Sequence, residues 1–486
     1  MLPRAIRSAC CICALLAATL GGAAAQSGQI PLTTSSPEAR QAYLEGRDLF
    51  EKLRAQDARP LFQQAVAADP GFAVAHLQLA FTEPTFRGFF DEVDRAVALS
   101  GNASEGEQLW IRGVKAGVDG RPMDQRAAYR QLVAQYPGDA RAHTLLGNQF
   151  FGTQEYELAI ASYEAALAID PAFSQPYNQP GYAYRFLGNY ERAGKTFQKY
   201  VELIPGDPNP YDSYAELLMK TGRFQDSIAQ YRKALEIDPR FAASHLGIAT
   251  DLIYLGDYEG ARRQLRLLYL GAQTSGQRRA ALQAEAISWA DEGNLGRALR
   301  ALSRECAIAD SAGDAAAMAA DLGFMGDLLL DAGAVAAARA VYEKARDVVQ
   351  VSDLSAEVKA NNRRNYLYDA ARLDVAEGDL DGARAKAGKY AAEARELQNG
   401  FLIRNAHELA GAIALAAGDG AAARAELALA NQLDPYNLYR LAQACRLEGD
   451  AAGERQWLER TAGDNTLNSL NYALVRHRAR AELAAR

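Results

Sequence analysis

One pattern is written three times in succession, at a spacing of 34 residues, between Asp139 and Phe241. The first unit, residues 140–173, reads ARAHTLLGNQFFGTQEYELAIASYEAALAIDPAF. The second, residues 174–207, reads SQPYNQPGYAYRFLGNYERAGKTFQKYVELIPGD, and the third, residues 208–241, reads PNPYDSYAELLMKTGRFQDSIAQYRKALEIDPRF. A fixed period of this length is typical of repeat architectures, in which each unit is one supersecondary element.

Aligning the three units on their closing prolines, as position 32, brings the same residue types to the same positions. Positions 4, 7, 8 and 11 lie on one face of a helix, and positions 20, 24 and 27 lie on one face of a second helix. Each unit is therefore predicted to be a helical hairpin, in which small residues at positions 8 and 20 allow close approach. The residues at positions 8, 24 and 32 are Gly147, Tyr163 and Pro171 in the first unit, Gly181, Phe197 and Pro205 in the second, and Ala215, Tyr231 and Pro239 in the third.

The period, the Leu146–Gly147 pair, the small residue at position 20, the aromatic residue at position 24 and the closing proline resemble the tetratricopeptide repeat (TPR) family. The resemblance implies an all-α fold, a right-handed α-solenoid of TPR-like helical hairpins. One hairpin cannot bury its apolar face alone, so the units are expected to stack. The family also implies binding of a protein or peptide along a concave surface.

Composition and the N-terminus indicate the compartment and exclude one class of partner. The 486-residue chain has a formal net charge of -7, and without a basic cluster it is not predicted to bind nucleic acid. Arg4 and Arg7 precede an uncharged run that ends in small residues before Gln26, which is typical of a secretory signal. We expect residues 1–25 to be a signal peptide cleaved after Ala25, giving an exported, periplasmic protein without membrane attachment. An uncleaved anchor is the alternative.

The rest of the chain divides into a lead and two helical regions. Residues 26–37 form a short polar lead that is predicted to be flexible. Residues 38–272 predict an N-terminal TPR solenoid with its clearest repeats at 140–241, and residues 273–486 predict a degenerate, Ala-rich TPR-like solenoid. About eleven hairpins are expected in all.

Two places depart from the regular pattern. Pro84 interrupts the first helix of the second unit, and three phenylalanines follow within residues 85–90. These phenylalanines are either a partner-binding patch or residues that tuck under the neighbouring repeat. The last helix, near residues 467–483, carries charged side chains such as Arg476 and is predicted to be a solvent-facing cap, which a solenoid needs.

No catalytic, metal or cofactor site is predicted. Four histidines share position 4, a packing position in separate repeats, so they cannot converge on one ion. Gly418–Ala423 matches a lenient dinucleotide fingerprint, but it lies in the turn of a helical hairpin instead of after a strand. Cys306 and Cys445 lie several repeats apart and are predicted to be unpaired, buried thiols. The four histidines are His76, His143, His245 and His407.

By resemblance, ligands are expected along the concave face at positions 2, 5, 9 and 12 of the first helix. Asp212 and Glu216 would repel a carboxylate, so the chaperone-tail clamp of some TPR domains is not expected. Pro180 at position 7 predicts a late or bent start of its helix and a wider groove. The alternative is that these positions are merely exposed helix faces. The nine selected residues are Thr144, Asn148, Phe151, Asn178, Tyr182, Arg185, Asp212, Glu216 and Met219.

The function predicted from these patterns is a non-catalytic protein-interaction scaffold of the cell envelope that binds a protein or peptide. One alternative is an α-solenoid enzyme acting on cell-wall glycan with its degenerate second half. A convergent carboxylate pair in a cleft would favour that enzyme. Another alternative is a regulatory TPR module of a signalling system, although no kinase or cyclase domain is attached.

Overall fold

A computed structural model describes residues 28–485, which form helices and connecting loops without a β-strand. The all-α prediction is confirmed. The predicted signal peptide, residues 1–25, lies outside the described residues. No helix within residues 28–485 is long and apolar enough to cross a membrane. Besides a 3₁₀ turn at Ser100–Asn102, the helices are α1 (Pro37–Glu51), α2 (Ala55–Ala68), α3 (Ala73–Ala80), α4 (Phe86–Leu99), α5 (Glu105–Val118), α6 (Pro122–Gln135), α7 (Ala140–Gly152), α8 (Tyr156–Ile169), α9 (Gln175–Phe186), α10 (Tyr190–Leu203), α11 (Pro208–Lys220), α12 (Phe224–Ile237), α13 (Ala242–Tyr254), α14 (Tyr258–Gly271), α15 (Ser275–Asp291), α16 (Leu295–Ser311), α17 (Ala315–Asp331), α18 (Val335–Gln350), α19 (Ala356–Glu377), α20 (Leu380–Glu396), α21 (Gly400–Ala416), α22 (Gly420–Leu429), α23 (Pro435–Glu448), α24 (Ala451–Ala462) and α25 (Leu470–Ala484).

Consecutive helices pair into hairpins, from α1/α2 to α23/α24, and each hairpin packs against the next. We number these twelve hairpins as repeats 1–12 and call the two helices of each A and B. The sequence predicted about eleven, and α25 follows alone. The three units at 140–241 are repeats 4, 5 and 6. Helices α5–α14 have 12 to 14 residues, whereas α15–α21 have 16 to 22, so the second half differs in helix length while the stack continues.

The small residue at position 8 makes room for the aromatic ring at position 24. A β-carbon on Gly147 would lie 2.6 Å from Cε1 of Tyr163, and one on Gly181 would lie 2.5 Å from Cε1 of Phe197. Both rings are fully buried. These contacts bring helices A and B together as the spacing predicts.

Position 4 has a specific role beyond packing, because its side chain reaches back to the turn between repeats. In five repeats, numbers 2, 4, 5, 6 and 7, a histidine nitrogen or tyrosine hydroxyl lies within hydrogen-bond distance of the carbonyl oxygen of the preceding closing proline, or its equivalent. This contact satisfies a carbonyl at the end of the previous helix B. The pairs are His76–Pro70 at 3.2 Å, His143–Pro137 at 3.0 Å, Tyr177–Pro171 at 3.3 Å, Tyr211–Pro205 at 3.1 Å and His245–Pro239 at 2.9 Å.

The stack turns far enough for its second half to contact its first half. We call this line of contacts the seam. It joins residues more than 200 positions apart in sequence, mostly through polar groups on loops and helix ends. The seam contacts include the Phe86 amide donating to Asp314 at 2.7 Å, Arg87 to Asp353 at 2.6 Å, the Asn399 side-chain amide donating to the Gly120 carbonyl at 3.2 Å, Gln154 to Asn431 at 3.4 Å, and Lys220 paired with Asp464.

The last helix, α25, caps the stack without facing solvent throughout. Arg476 is 1 % exposed, and its Nε donates to Asp291 at 2.9 Å. Arg478 pairs with Asp331 at 2.5 Å. The prediction of a solvent-facing helix is therefore wrong for Arg476, because charges on distant repeats compensate it.

The described part of the lead lies against the first four repeats. The Ile30 amide donates to Asp139 at 2.8 Å, and the Thr33 amide donates to Glu107 at 3.1 Å. The Thr34 hydroxyl donates to Asp69 at 2.6 Å. A segment predicted to be flexible thus has fixed partners along one edge of the stack.

The irregular positions have local effects. Helix α3 stops at Ala80 after eight residues, ahead of Pro84, and Thr85 caps α4 by accepting the Gly88 amide at 3.0 Å. Helix α9 runs through Pro180 and begins one residue later in its unit than α7 and α11 do in theirs. Cys306 and Cys445, the two cysteines within residues 28–485, are buried and unpaired.

Candidate functional site

A cavity of about 790 Å³ lies on the concave side of repeats 1–5. Its wall comes mainly from the A helices α1, α3, α5, α7 and α9, together with the start of helix α6. One side is completed by Asn399 and Phe401 at the start of α21, which the seam brings across from the second half. The closure of the stack therefore completes one side of the cavity.

Aromatic rings form much of this wall. The ring centroids of Phe50 and Phe81 are 6.1 Å apart, and those of Phe81 and Phe89 are 5.8 Å apart. Trp110 is 7 % exposed, and its indole Nε1 has no hydrogen-bond partner. Phe401 is half exposed on the opposite side. Such walls bury apolar ligand groups well, and tryptophan is enriched at the energetic centres of interfaces.

The charges in the wall cancel each other. Arg141 donates from Nε to Glu51 Oε1 at 2.6 Å and from Nη2 to Glu51 Oε2 at 2.9 Å, which is a two-point ion pair. The Arg141 guanidinium also lies 5.0 Å from the centroid of Phe173. No other charged side chain lines the cavity. A ligand consequently meets a neutral surface.

Two of the nine predicted groove residues, Thr144 and Asn148, line this cavity. The Thr144 hydroxyl donates to the Ala140 carbonyl at 2.8 Å, and the Asn148 Oδ1 accepts from the Tyr163 hydroxyl at 2.8 Å. These bonds fix both side chains. Asn148 keeps its amide nitrogen for another partner.

The concave face of repeats 5 and 6 is different, because its polar groups bind one another. The Tyr182 hydroxyl donates to Glu216 Oε1 at 2.9 Å, and Arg185 donates to Glu216 Oε2 at 3.1 Å. The Arg185 guanidinium lies 4.8 Å from the Tyr182 ring centroid. Burial, followed by the Glu216 charge, raises the pKa of Tyr182 well above its usual value. We call Tyr182, Arg185 and Glu216 the closed network.

The remaining predicted groove residues are also occupied or buried. Asp212 accepts from the Ser244 hydroxyl at 2.7 Å, and burial, followed by the Glu216 charge, raises the pKa of its carboxyl well above the usual range. Met219 is 1 % exposed, and Asn178 is buried with an unpartnered Oδ1. Phe151 packs edge-on against Tyr156, with centroids 5.4 Å apart. The binding role of the nine residues stays a prediction.

Comparison with known proteins agrees with the geometry of these hairpins. Residues 117–172, 174–207 and 209–241 match models described as tetratricopeptide repeat. The chain contains tetratricopeptide repeats. Proteins with these repeats generally serve as non-catalytic protein-interaction scaffolds.

The chain is similar to parts of larger proteins. It is 26% identical over 255 residues to Superkiller complex protein 3 of Mus musculus, covering 49% of this chain and 16% of that protein. It is 27% identical over 104 residues to the TPR repeat-containing thioredoxin TTL4 of Arabidopsis thaliana, covering 21% of this chain and 15% of that protein. The chain thus spans about a sixth of the length of these relatives. A solved TPR protein from Parabacteroides merdae is 15% identical, with a TM-score of 0.37, covering 55% of this chain and 100% of that one.

Sequence reasoning missed much of the cavity wall, because part of the wall belongs to hairpins without the full signature. Trp110, Phe81 and Gln78 come from repeats 2 and 3, where the register is interrupted. The phenylalanines at 85–90 were the feature of the sequence that pointed to this wall. Some of them face the proposed binding surface and others do not. Phe89 lines the cavity, whereas Phe86 is half exposed beside the seam.

The histidines at position 4 do not come together in a metal site. His76 and His407 pair with Glu92 and Glu426, at 2.7 and 2.8 Å. Within residues 28–485 no group of three or more His, Cys, Asp or Glu side chains is placed to hold a metal ion. Burial raises the pKa of the Cys306 thiol to about 12, so this thiol stays protonated and unreactive near neutral pH.

Proposed function

We propose that this TPR protein is a non-catalytic scaffold that binds an uncharged, apolar segment of a protein partner in the concave cavity of repeats 1–5. The observation that carries the proposal is the cavity of about 790 Å³, walled by aromatic side chains on the A helices. Its size is that of a ligand-binding pocket, and its lining is mainly apolar with a few polar groups.

The charge of the wall decides which part of a partner it accepts. Glu51 and Arg141 satisfy each other at two points, so a terminal carboxylate or an ammonium group would find no opposite charge to replace its water. Phe50, Phe81 and Phe89 instead offer contact to aromatic or aliphatic side chains. The bound segment is therefore internal to its chain and uncharged.

Selection from a phage-displayed random peptide library, with the full chain immobilised, tests this proposal. We expect the selected peptides to be rich in apolar residues and poor in charged ones. Binding should be lost in Leu145→Asp, which places a charge in the cavity wall, because burying an unpaired carboxylate is costly. Leu187→Asp is the matched control, since Leu187 is 42% exposed and lies outside the cavity.

Thermal unfolding of both variants verifies that each is folded before binding is compared. Selected peptides that share a charged C-terminus, or that bind Leu145→Asp as well as the original chain, would contradict the proposal.

We also propose that the protein acts in the cell envelope after export to the periplasm. Support comes from Arg4 and Arg7 ahead of the uncharged run that ends at Ala25. Fractionation of the source cells followed by N-terminal sequencing is expected to find Gln26 as the first residue in a periplasmic fraction. A mature chain that begins at Met1 in the cytosol would overturn this assignment.

The two alternative functions receive less support. The best carboxylate for a glycan-cleaving enzyme is Asp369, whose pKa burial raises to about 7 and which lines a smaller cavity of about 340 Å³. Asp369 and its neighbour Asp327 both bind Arg372, at 3.4 and 2.6 Å, so the pair serves an ion network. A regulatory module would use the same concave face.

A further inference from the structure

A second surface lies outside the concave cavity, where the fold gathers arginine and aromatic side chains. Helices α14 and α16 are neighbouring B helices, and between them lies a groove of about 470 Å³ with α15 as its floor. None of its residues lines the cavity of repeats 1–5. We call it the arginine groove and define it by Arg262, Arg266, Tyr269, Leu270, Trp289 and Arg304.

The aromatic rings of the groove are held under guanidinium groups. The Cζ atom of Arg262 lies 3.5 Å from the Trp289 ring centroid, and that of Arg297 lies 4.5 Å from the same centroid. The Cζ atom of Arg304 lies 5.7 Å from the Tyr269 ring centroid. Tryptophan, tyrosine and arginine are the residue types that dominate binding energy at protein interfaces.

Part of the positive charge is not compensated within the protein. Arg262 pairs with Glu292 at 2.8 Å, and Arg304 pairs with Glu285 at 3.3 Å. Arg266, by contrast, is exposed and has no carboxylate partner among residues 28–485. The chain as a whole has a net charge of -7, so this positive surface stands out from its surroundings.

Apolar side chains on α14 lie beside the free arginine. Leu267 is 57% exposed and Leu270 is 69% exposed, and both follow Arg266 on the outer face of the helix. Exposed leucines next to an unpaired arginine present an amphipathic surface, which favours a partner with both carboxylates and apolar side chains.

We infer that the arginine groove binds an acidic, amphipathic peptide segment of a partner protein. Guanidinium groups bind carboxylates at two points, and a peptide can place its carboxylates over Arg266 while its apolar residues cover Leu270 and Tyr269. A nucleic acid carries a charge at every phosphate, whereas a peptide can place uncharged residues beside Glu285 in the groove. A membrane surface is flat and would leave the walled groove unfilled.

Fluorescence anisotropy with a fluorescein-labelled peptide of alternating glutamate and leucine tests the inference on the full chain. We expect saturable binding that weakens with added salt. Arg266→Glu should weaken the binding by roughly fivefold or more, because an attractive charge becomes a repulsive one. Leu270→Ser should weaken it as well. Arg232→Glu is the matched control, since Arg232 is an exposed arginine on B helix α12 that has no carboxylate partner in the described part of the chain.

The inference is overturned if Arg266→Glu and Arg232→Glu bind the peptide equally, or if a lysine-leucine peptide binds as well as the glutamate-leucine one. It is also overturned if vesicles containing phosphatidylglycerol, or a single-stranded oligonucleotide, bind through Arg266 while the acidic peptide does not. Circular dichroism of each variant confirms that the exposed substitutions leave the helices intact.

Discussion

Repeats 1–4 and repeats 5–6 share one architecture but differ in what their concave faces leave open. Repeats 1–4 include the two least regular units, repeats 2 and 3, and their A helices form most of the wall of an aromatic cavity of about 790 Å³. Repeats 5 and 6 match the TPR pattern closely, and there Tyr182, Arg185 and Glu216 bind one another across the concave face. A close match to the repeat pattern therefore does not mean that the concave face of a repeat is free to bind a partner.

The difference has a physical cause in the residues at the concave positions. In repeats 5 and 6 an arginine, a tyrosine and a glutamate face each other on successive A helices, and partly buried charges must find partners. In repeats 1–4 the corresponding space is bordered by Phe81, Trp110 and a charge pair that is already complete. The face of repeats 5 and 6 stabilises the stack, and the face of repeats 1–4 leaves apolar surface for a partner.

The largest expected effect comes from breaking the closed network. Glu216→Ala leaves Arg185 and Tyr182 without their carboxylate, and we expect the free energy of unfolding to fall by about 2–3 kcal/mol. Gln175→Ala changes a side chain of the cavity wall, and its effect is expected to stay within about 0.5 kcal/mol. Urea unfolding followed by circular dichroism measures both. Equal losses in the two variants would mean that the two faces do not differ as described.

The concave face of repeats 5 and 6 continues onto α13, where the buried acid Asp251 makes the free energy of unfolding depend on pH. Asp251 is fully buried, and burial raises the pKa of its carboxyl to about 8, above its ordinary value of 3.8. The folded protein holds this proton more tightly than the unfolded chain does, so its contribution is fully present below about pH 4 and is lost as the pH rises to about 8.

Asp251→Asn replaces the protonated acid by a neutral group of the same shape. We expect it to raise the free energy of unfolding by on the order of 2 kcal/mol at pH 9 and to change it little at pH 4. Asp91→Asn, at an exposed position, serves as the control and should show no such pH dependence. A gain that is the same at both pH values would contradict the assignment.

The glycine contact at position 8 tests how the regular hairpins are built. In Gly147→Ala the new β-carbon would lie 2.6 Å from Tyr163, and we expect a loss of about 1–2 kcal/mol in spite of the better helix propensity of alanine. Gly152→Ala lies on the same helix, where nothing is within 4 Å, and is expected to be neutral or slightly stabilising. Thermal unfolding of the pair measures the difference, and a more stable Gly147→Ala would show that the contact is not tight.

The smallest expected effect is at position 4. Tyr211→Phe removes only the hydroxyl that lies 3.1 Å from the Pro205 carbonyl, and a loss of about 0.5–1 kcal/mol is expected. Tyr190→Phe removes a hydroxyl from a tyrosine that is 42% exposed, and it should change the free energy of unfolding by less. If both variants unfold alike in urea, the turn contact contributes nothing measurable.

Local patterns in the sequence predicted the hairpins, their register and the small-to-aromatic contact at Gly147 and Tyr163, because those depend on residues within one unit. The cavity could not be predicted in this way, since Asn399 and Phe401 reach its wall only through the closure of the stack. The burial of Arg476 depends likewise on Asp291, 185 residues away. The expected groove residues were placed at the right positions of the helices, but the pairing of Arg185 with Glu216 across two repeats was not visible from either unit alone.

The most direct test is whether an apolar peptide binds in the cavity of repeats 1–5 or at the closed network. A chain with Trp289→Phe and Trp457→Phe keeps Trp110 in the cavity wall as its only tryptophan. Titration with an uncharged apolar peptide obtained from the library is predicted to change the Trp110 emission in a saturable way, with the same affinity when Glu216→Gln is added. Binding that leaves the Trp110 emission unchanged and disappears with Glu216→Gln would contradict the account.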